Sequence, residues 1–194
     1  GAIEFRDALA RGAAATFTPV AVAREDIAFL QYTGGTTGVS KGAMLTHRNI
    51  LANLEQTGIW VSNDFKEGTE IVIAPLPMYH IFCLTSTLSF MKWGSLSVLI
   101  TNPRDLPALV KEMGQWKFTA MTGVNTLFNG LLNTPAFAQL DFSTLKVVVG
   151  GGAAVSIAIQ TVVVDVLASG EFCNPRRRVA HLLGIGDVSL HAPH

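Results

Sequence analysis

Residues 32–42 read Tyr-Thr-Gly-Gly-Thr-Thr-Gly-Val-Ser-Lys-Gly, which places four glycines, three threonines and one lysine in one short segment. Glycines let backbone N–H groups turn toward an anion without an obstructing Cβ, and threonine hydroxyls add further donors. The lysine adds a mobile positive charge. The segment lies between a predicted strand at residues 27–31 and a predicted helix that begins at Thr46. It therefore predicts a polyphosphate-binding loop that leads to a helix N-terminus.

The spacing within this segment excludes the most common phosphate-binding loop. A Walker A motif requires glycine, four residues, and then Gly-Lys-Ser or Gly-Lys-Thr. Here Lys41 follows Ser40 and precedes Gly42, so neither neighbour of the lysine fits. A P-loop kinase or GTPase is excluded on this ground. A plain flexible linker remains the alternative, although linkers seldom carry such an ordered set of donors.

Apolar strand-like runs alternate with helix-like segments from Asp26 onward. This alternation predicts an α/β fold with a largely parallel sheet flanked by helices. Ligand sites in such sheets gather at the carboxyl ends of strands. The Gly/Thr segment, residues 75–80 and the glycines 150–152 each follow a predicted strand, so we expect them to converge on one cleft. The predicted strands are 27–31, 70–74, 96–100, 118–121 and 145–149, and the predicted helices are 46–60, 81–92, 105–116 and 124–133.

Composition narrows the class of protein. The 194 residues suit one domain, and 14 basic and 14 acidic residues cancel, so nothing indicates a nucleic-acid partner.

Two cysteines, Cys83 and Cys173, lie far apart, which argues against a disulfide scaffold or a zinc site and favours a reducing cytoplasm. Cys83 lies in an apolar run and is predicted to be a core residue. No apolar run reaches the ~18 residues that span a bilayer, so we expect a soluble protein.

The stretch Tyr32 to Gly42, continued by Ala43-Met44-Leu45-Thr46-His47-Arg48-Asn49, resembles the signature loop of the adenylate-forming (AMP-binding) superfamily. It is most similar to the loop of bacterial long-chain fatty-acyl-CoA synthetases. The wider superfamily usually has Ser in place of Gly34 and Pro in place of Ser40, and both departures resemble the fatty-acyl branch. The resemblance implies a partial adenylation-domain fold in which these residues bind ATP and its pyrophosphate: Tyr32, Thr33, Gly34, Gly35, Thr36, Thr37, Gly38, Lys41 and Gly42.

The segment of residues 75–80, Pro-Leu-Pro-Met-Tyr-His, has prolines that fix the backbone leading to Tyr79 and His80. Taken alone, His80 is more often a structural residue than a catalytic one. The segment resembles the Pro-x-x-His segment of the superfamily, which implies that His80 borders the acyl and adenylate site with Phe82 nearby. There it would form a polar wall and gate and would not act as a general base.

Two glycine segments have a structural and a functional interpretation. Glycines 150–152 alone predict a tight turn from strand to helix. The resemblance implies that Gly151, Gly152 and Ala153 lie on the adenine side of the site. Gly123 opens a Gly-Val-Asn-Thr-Leu-Phe segment that alone is an ordinary strand-to-helix junction, and the resemblance implies that it lines the acyl site.

The resemblance implies a fragment of an ATP-dependent fatty acid:CoA ligase. The complete enzyme would form an acyl-adenylate and then acyl-CoA, with ATP, Mg²⁺ and coenzyme A as cofactors. Fatty acid, ATP and CoA are the expected partners, without nucleic acid. The expected location is cytoplasmic, with peripheral association at the inner membrane face left open. The alternatives are a non-catalytic nucleotide- or anion-binding remnant, a ligase for an aromatic or amino acid, and an incomplete domain that aggregates. Acyl chain length is not determined by the sequence.

By its motifs the chain divides into three parts. Residues 1–25 are expected to be the trailing end of a preceding segment, 26–155 a partial AMP-binding domain, and 156–194 a divergent tail. The superfamily's Tyr-Gly-x-Thr-Glu motif and catalytic lysine have no counterpart here, so the resemblance assigns no catalytic residue and no metal ligand. We hypothesise that the tail is a frameshifted reading of a normal gene.

Overall fold

The structure is a computed structural model that describes residues 2–33, 41–61 and 65–151. Within these residues, four parallel strands form one sheet in the order β4-β3-β5-β6, with helices in the crossovers. The predicted α/β fold with a largely parallel sheet is therefore confirmed. The elements are α1 (Phe5–Ala13), β1 (Ile27–Thr33), β2 (Lys41–Thr46), α2 (His47–Val61), β3 (Ile71–Ala74), α3 (Ile81–Lys92), β4 (Leu96–Leu99), α4 (Leu106–Met113), β5 (Ala120–Gly123), α5 (Asn125–Leu132), a 3-10 turn (Phe137–Gln139) and β6 (Val147–Gly150).

Each face of the parallel sheet packs on its own apolar cluster because successive strand residues point to opposite faces. On one face, Val72, Ala120 and Val147 pack with Phe65 and with Phe90 of α3. On the other face, α4 and α5 cover the sheet. The buried residues of that second cluster include Ile73, Met121, Val148, Leu109, Phe128 and Leu131.

Strands β1 and β2 form an antiparallel hairpin outside the parallel sheet. The sequence interpretation missed β2, because it treated the chain as a loop up to Thr46. Most of β2 is exposed, so it shows no apolar alternation, and Gly42 and Ala43 have low strand propensity. Helix α1 was also not predicted. It buries none of its side chains, so no core position marks it in the sequence.

The predicted helix starts at Thr46 and Asp105 are confirmed by their capping contacts. Asn49 N donates to Thr46 Oγ1 at 3.2 Å, and Thr46 N donates to Asn49 Oδ1 at 3.0 Å. At the start of α4, Asp105 Oδ1 accepts a hydrogen bond from Ala108 N at 3.1 Å. Side-chain acceptors of this kind satisfy N–H groups that have no partner within the helix. No helix among the described residues combines the length and apolarity needed to cross a membrane.

A half-buried ion pair, with Glu70 buried and Lys146 partly exposed, joins the starts of β3 and β6 at the amino-terminal side of the sheet. The carboxylate of Glu70 has no exposed side-chain surface, and its Oε1 lies 2.6 Å from Lys146 Nζ. Lys66 N donates to the same oxygen at 2.7 Å. Burial raises the pKa of Glu70, but the hydrogen bonds from Lys146, Lys66 and Thr119 and the charge of Lys146 together outweigh it, so the pKa lies below the ordinary value. The ionised carboxylate therefore stabilises the folded chain.

Replacing Glu70 with Gln is expected to lower the free energy of unfolding by about 1–3 kcal/mol at neutral pH, because Lys146 loses its charged partner. The stabilisation exists above the unfolded-state pKa, near 4.5, and disappears as the pH falls through the lowered folded-state pKa. Urea unfolding at neutral and acidic pH measures both effects. Glu67→Gln, at an exposed neighbour, is the control. Equal loss at all pH values, or equal loss in the control, would contradict this account.

Candidate functional site

The described ends of the Gly/Thr segment face each other across the hairpin. Tyr32 pairs with Gly42, and Thr33 pairs with Lys41. The side chains of Tyr32 and Lys41 are exposed. A Cβ added at Gly42 would lie 3.3 Å from Tyr32 Cζ, so glycine leaves room for the ring. Four predicted ATP-binding residues are thus brought together. The others, Gly34, Gly35, Thr36, Thr37 and Gly38, lie outside the described residues.

A hydrogen bond attaches this hairpin to the carboxyl edge of the parallel sheet. Gln31 Nε2 in β1 donates to the carbonyl oxygen of Tyr79 at 3.0 Å. Tyr79 belongs to the segment that follows β3, the same segment that ends in His80. The expected proximity of the Gly/Thr hairpin to this segment is therefore observed at the hairpin's described strands.

His80 caps the start of α3. Its Nδ1 accepts a hydrogen bond from Phe82 N at 3.3 Å. In the neutral imidazole the proton then lies on Nε2, which is a donor. Because Nδ1 is taken up by the cap, Nε2 is the ring nitrogen left for another partner.

Cys83 lies one turn into α3 and is fully buried. Its Sγ donates to the carbonyl oxygen of Leu76 at 2.8 Å. Burial raises the pKa of the Cys83 thiol above its ordinary value, against smaller lowering effects of hydrogen bonds with Thr87 and Leu76. A buried neutral thiol is a poor nucleophile. The prediction that Cys83 is a core residue is therefore confirmed.

The last residues of β5 and β6 meet at the carboxyl edge. Gly123 pairs with Gly150, and Gly151 N donates to Gly123 O at 3.2 Å. A Cβ at Gly151 would lie 2.9 Å from the ring of Phe82, so the end of β6 touches the start of α3. Residues 75–80 and the described glycines thus converge as expected. Gly152 and Ala153 lie outside the described residues.

A cavity of about 510 Å³ lies between α2 and α3 and is lined mainly by apolar surface. His80 and Phe82 line one end, and Phe65, Phe90 and Trp93 line the other. Its volume lies in the range of small-molecule sites. Of the predicted acyl-site residues, His80 and Phe82 line it. Gly123 is not among its lining residues, because its neighbour is the Phe128 ring in the opposite cluster.

The residues that form the far end and the α2 wall of this cavity were not predicted. One signal in the sequence was the set of four hydroxyl residues in the otherwise apolar helix α3. Thr85, Ser86 and Ser89 line the cavity, whereas Thr87 does not. Among the described residues, no group of three or more His, Cys, Asp or Glu side chains is placed to hold a metal ion.

This arrangement agrees with comparisons to known proteins. A family model described as "AMP-binding enzyme" matches residues 3–185, more than nine-tenths of the chain. The chain belongs to this family. The matched range, residues 3–185, begins before and ends after residues 26–155, the segment that carries the motifs.

Curated members of the AMP-binding family include similar sequences. A long-chain-fatty-acid CoA ligase of Salmonella typhimurium is 55% identical over 165 residues, which are 84% of this chain and 29% of that ligase. One of Escherichia coli O157:H7 is 57% identical over 152 residues, or 78% of this chain and 27% of that ligase. A 4-coumarate CoA ligase of Oryza sativa is 27% identical over 154 residues, or 79% of this chain and 27% of that ligase. The chain thus spans less than a third of these relatives' length.

Solved structures of AMP-binding enzymes share the fold. The N-terminal domain of FACL13 from Mycobacterium tuberculosis has a TM-score of 0.71 at 24% identity, covering 82% of this chain and 40% of that one. A long-chain-fatty-acid-CoA ligase from Archaeoglobus fulgidus has a TM-score of 0.63 at 30% identity, covering 79% of this chain and 30% of that one. The expected partial adenylation-domain fold is therefore confirmed.

Gly123→Ala and Gly151→Ala are each expected to lower the free energy of unfolding by about 1–3 kcal/mol, because the new methyl group must displace an aromatic ring. The Cβ positions lie 2.5 Å from Phe128 and 2.9 Å from Phe82. Gly12→Ala is the matched control, since no atom lies within 4 Å of its Cβ position. Urea unfolding measures the three variants. Unchanged stability at both tight sites would show that the rings are not packed as described.

His80→Ala is expected to lower the free energy of unfolding by about 0.5–2 kcal/mol, because α3 loses its side-chain cap. His80→Asn should retain most of that stability, since asparagine is a favourable cap. The pair separates the capping contact from the imidazole ring, and thermal unfolding compares them. If both variants lose the same stability, the cap is not what His80 contributes.

Proposed function

We propose that this chain is the part of an AMP-forming fatty acid:CoA ligase that holds the ATP phosphates and the acyl chain. The supporting observation is the apolar cavity that begins at His80 and Phe82, because this end of α3 also touches Gly151 and adjoins the Gly/Thr hairpin. The hairpin that carries residues 32–42, the hydrogen-bond donor His80 and the apolar cavity thus lie next to one another. The two ligands of the first step carry the matching groups: the phosphates of ATP, the carboxyl oxygens of the fatty acid and its alkyl chain.

The reaction of such a ligase has two steps. A fatty-acid carboxylate oxygen attacks the α-phosphorus of ATP, the bond to the β-phosphate oxygen breaks, and acyl-adenylate and pyrophosphate form. The thiol of coenzyme A then attacks the acyl carbon, loses its proton and releases AMP. Each attack needs positioning and stabilisation of developing charge rather than a strong base.

Within this proposal each residue has a defined task. Lys41 and the donors of residues 32–42 hold the phosphate oxygens where charge builds up as pyrophosphate leaves. His80 Nε2 donates to the acyl-adenylate, and Gly151, Gly152 and Ala153 let the adenine approach the backbone. Magnesium, when bound, neutralises phosphate charge.

The fatty-acid branch is supported over an aromatic-acid ligase by the comparisons, since the identity to the fatty-acid ligases is about twice that to the 4-coumarate ligase. The apolar lining of the cavity also favours an alkyl chain. A cytoplasmic location and any contact with the inner membrane face remain predictions.

The second candidate function is nucleotide binding without turnover. It needs only the ends of the hairpin, where Tyr32 and Lys41 are exposed. The two candidates share the phosphate-binding hairpin and differ in whether bound ATP reacts with a fatty acid. A measurement of both binding and reaction therefore separates them.

Lys41→Ala is expected to weaken binding of ATP with Mg²⁺ by about ten- to a hundredfold, because a charge-assisted hydrogen bond contributes about 1.5–3 kcal/mol. It should also abolish hexadecanoate-dependent ATP–pyrophosphate exchange. Titration calorimetry and labelled pyrophosphate measure the two effects. Lys111→Ala, at an exposed lysine on α4, is the control. ATP binding without exchange in the unaltered chain would favour the second candidate, and unchanged ATP binding in Lys41→Ala would contradict the role of the hairpin.

A further inference from the structure

The hairpin of β1 and β2 has two faces that carry different side chains. Residues paired across antiparallel strands point to the same side, and the side alternates along each strand. Gln31 pairs with Ala43, and Thr33 pairs with Lys41. Gln31 and Lys41 therefore lie on one face of the hairpin, and Tyr32 lies on the opposite face. Whatever holds the Gln31 side chain also directs the face that carries Lys41.

The side chain of Gln31 is bonded to the segment that ends in His80. Its Nε2 donates to the carbonyl oxygen of Tyr79 at 3.0 Å and lies 3.4 Å from the carbonyl oxygen of Tyr32. Both neighbours are acceptors, so the amide nitrogen must face them and not the amide oxygen. Gln31 and Tyr79 are 48 positions apart in the chain. The bond is thus a tertiary contact between the hairpin and the carboxyl edge of the sheet.

The acceptor of this bond belongs to the peptide group that carries His80, because the carbonyl carbon of Tyr79 is joined to the nitrogen of His80. The backbone of His80 makes two further hydrogen bonds. Its N–H donates to Pro77 O at 3.0 Å, and its carbonyl oxygen accepts from Leu84 N at 3.0 Å. These two bonds are local, so they shape the turn and the start of α3. The contact with Gln31 is the one that places this peptide group relative to the hairpin.

We propose that Gln31 is a positioning residue that sets the separation between Lys41 and His80. This inference rests on the proposed function, in which Lys41 binds phosphate oxygens and His80 borders the acyl-adenylate. The carboxylate oxygen of the fatty acid must meet the α-phosphorus of ATP in the right geometry, and a misplacement of about 1 Å costs about a hundredfold in rate. Gln31 contacts neither ligand and acts through the two elements that do.

The test is hexadecanoate-dependent ATP–pyrophosphate exchange by the 194-residue chain and by two variants of similar side-chain length. Gln31→Met has no N–H donor, and the ionised carboxylate of Gln31→Glu can only accept hydrogen bonds. Each variant should lower kcat about ten- to a hundredfold. KM for ATP and for hexadecanoate should stay within about twofold, because the binding groups themselves are retained.

Two comparisons separate positioning from a loss of folding or binding. Circular dichroism and thermal unfolding establish that each variant is folded, and calorimetric titration of Gln31→Met should give unchanged affinities for ATP with Mg²⁺ and for hexadecanoate. Gln115→Met is the matched control. Gln115 Nε2 donates to Glu112 Oε2 at 3.0 Å, so this variant also loses a glutamine hydrogen bond, but a local one just after α4. It should keep the kcat of the unaltered chain.

Three results would overturn the inference. A folded Gln31→Met variant that keeps the original kcat would show that the bond to Tyr79 does not position the two elements. An equal fall of kcat in Gln115→Met would show a general effect of the substitution. A rise in KM for ATP with unchanged kcat would make Gln31 a binding residue. If the unaltered chain itself shows no exchange, the proposed function is contradicted and the role of Gln31 falls with it.

Discussion

Helix α3 is the element on which both the core and the site depend, because its two sides carry different kinds of side chain. Cys83, Thr87 and Phe90 are buried, and Phe90 packs with Val72, Ala120 and Val147 of the sheet. On the α2 side, Thr85 and Ser86 line the cavity. A bulky apolar residue at the latter positions would strengthen packing between α2 and α3 at the expense of the cavity. The small side chains in the middle of α3 therefore leave room for the cavity, while Phe82 and Phe90 line it near the two ends of the helix.

The cap of α3 places the polar end of this cavity. A parallel strand ends at the carboxyl edge of the sheet, and the chain must then turn before the crossover helix can begin. The prolines in residues 75–80 and the His80 cap make that turn, so the imidazole sits where β3 ends and α3 begins. At the same edge, Gly151 carries no side chain and Phe82 occupies the space. The residues that make the turn from β3 to α3 are thus also residues of the candidate site.

Much of the fold was predictable because parallel strands are continuous apolar runs and their crossover helices have clear caps. The bounds of α3 were predicted to the residue, and Thr46 and Asp105 cap the helices that follow them. Strand β2 could not be predicted, since exposed residues in a hairpin show no periodicity. Part of the candidate site was also predictable from local sequence, because Tyr32, Lys41 and His80 belong to short segments with a distinctive pattern of glycine, threonine or proline residues. The aromatic lining of the cavity near the end of α3 could not be predicted, because Phe65 and Trp93 meet only through tertiary packing.

The central claim is that an acyl chain lies between α2 and α3 with its reacting end at His80. A crystal structure of the chain with a non-hydrolysable hexadecanoyl-adenylate analogue tests this most directly. The account predicts alkyl density along the α3 wall from Phe82 to Trp93, with the phosphate mimic beside the Gly/Thr hairpin. Alkyl density elsewhere, with the space between α2 and α3 empty or filled by side chains, would contradict it.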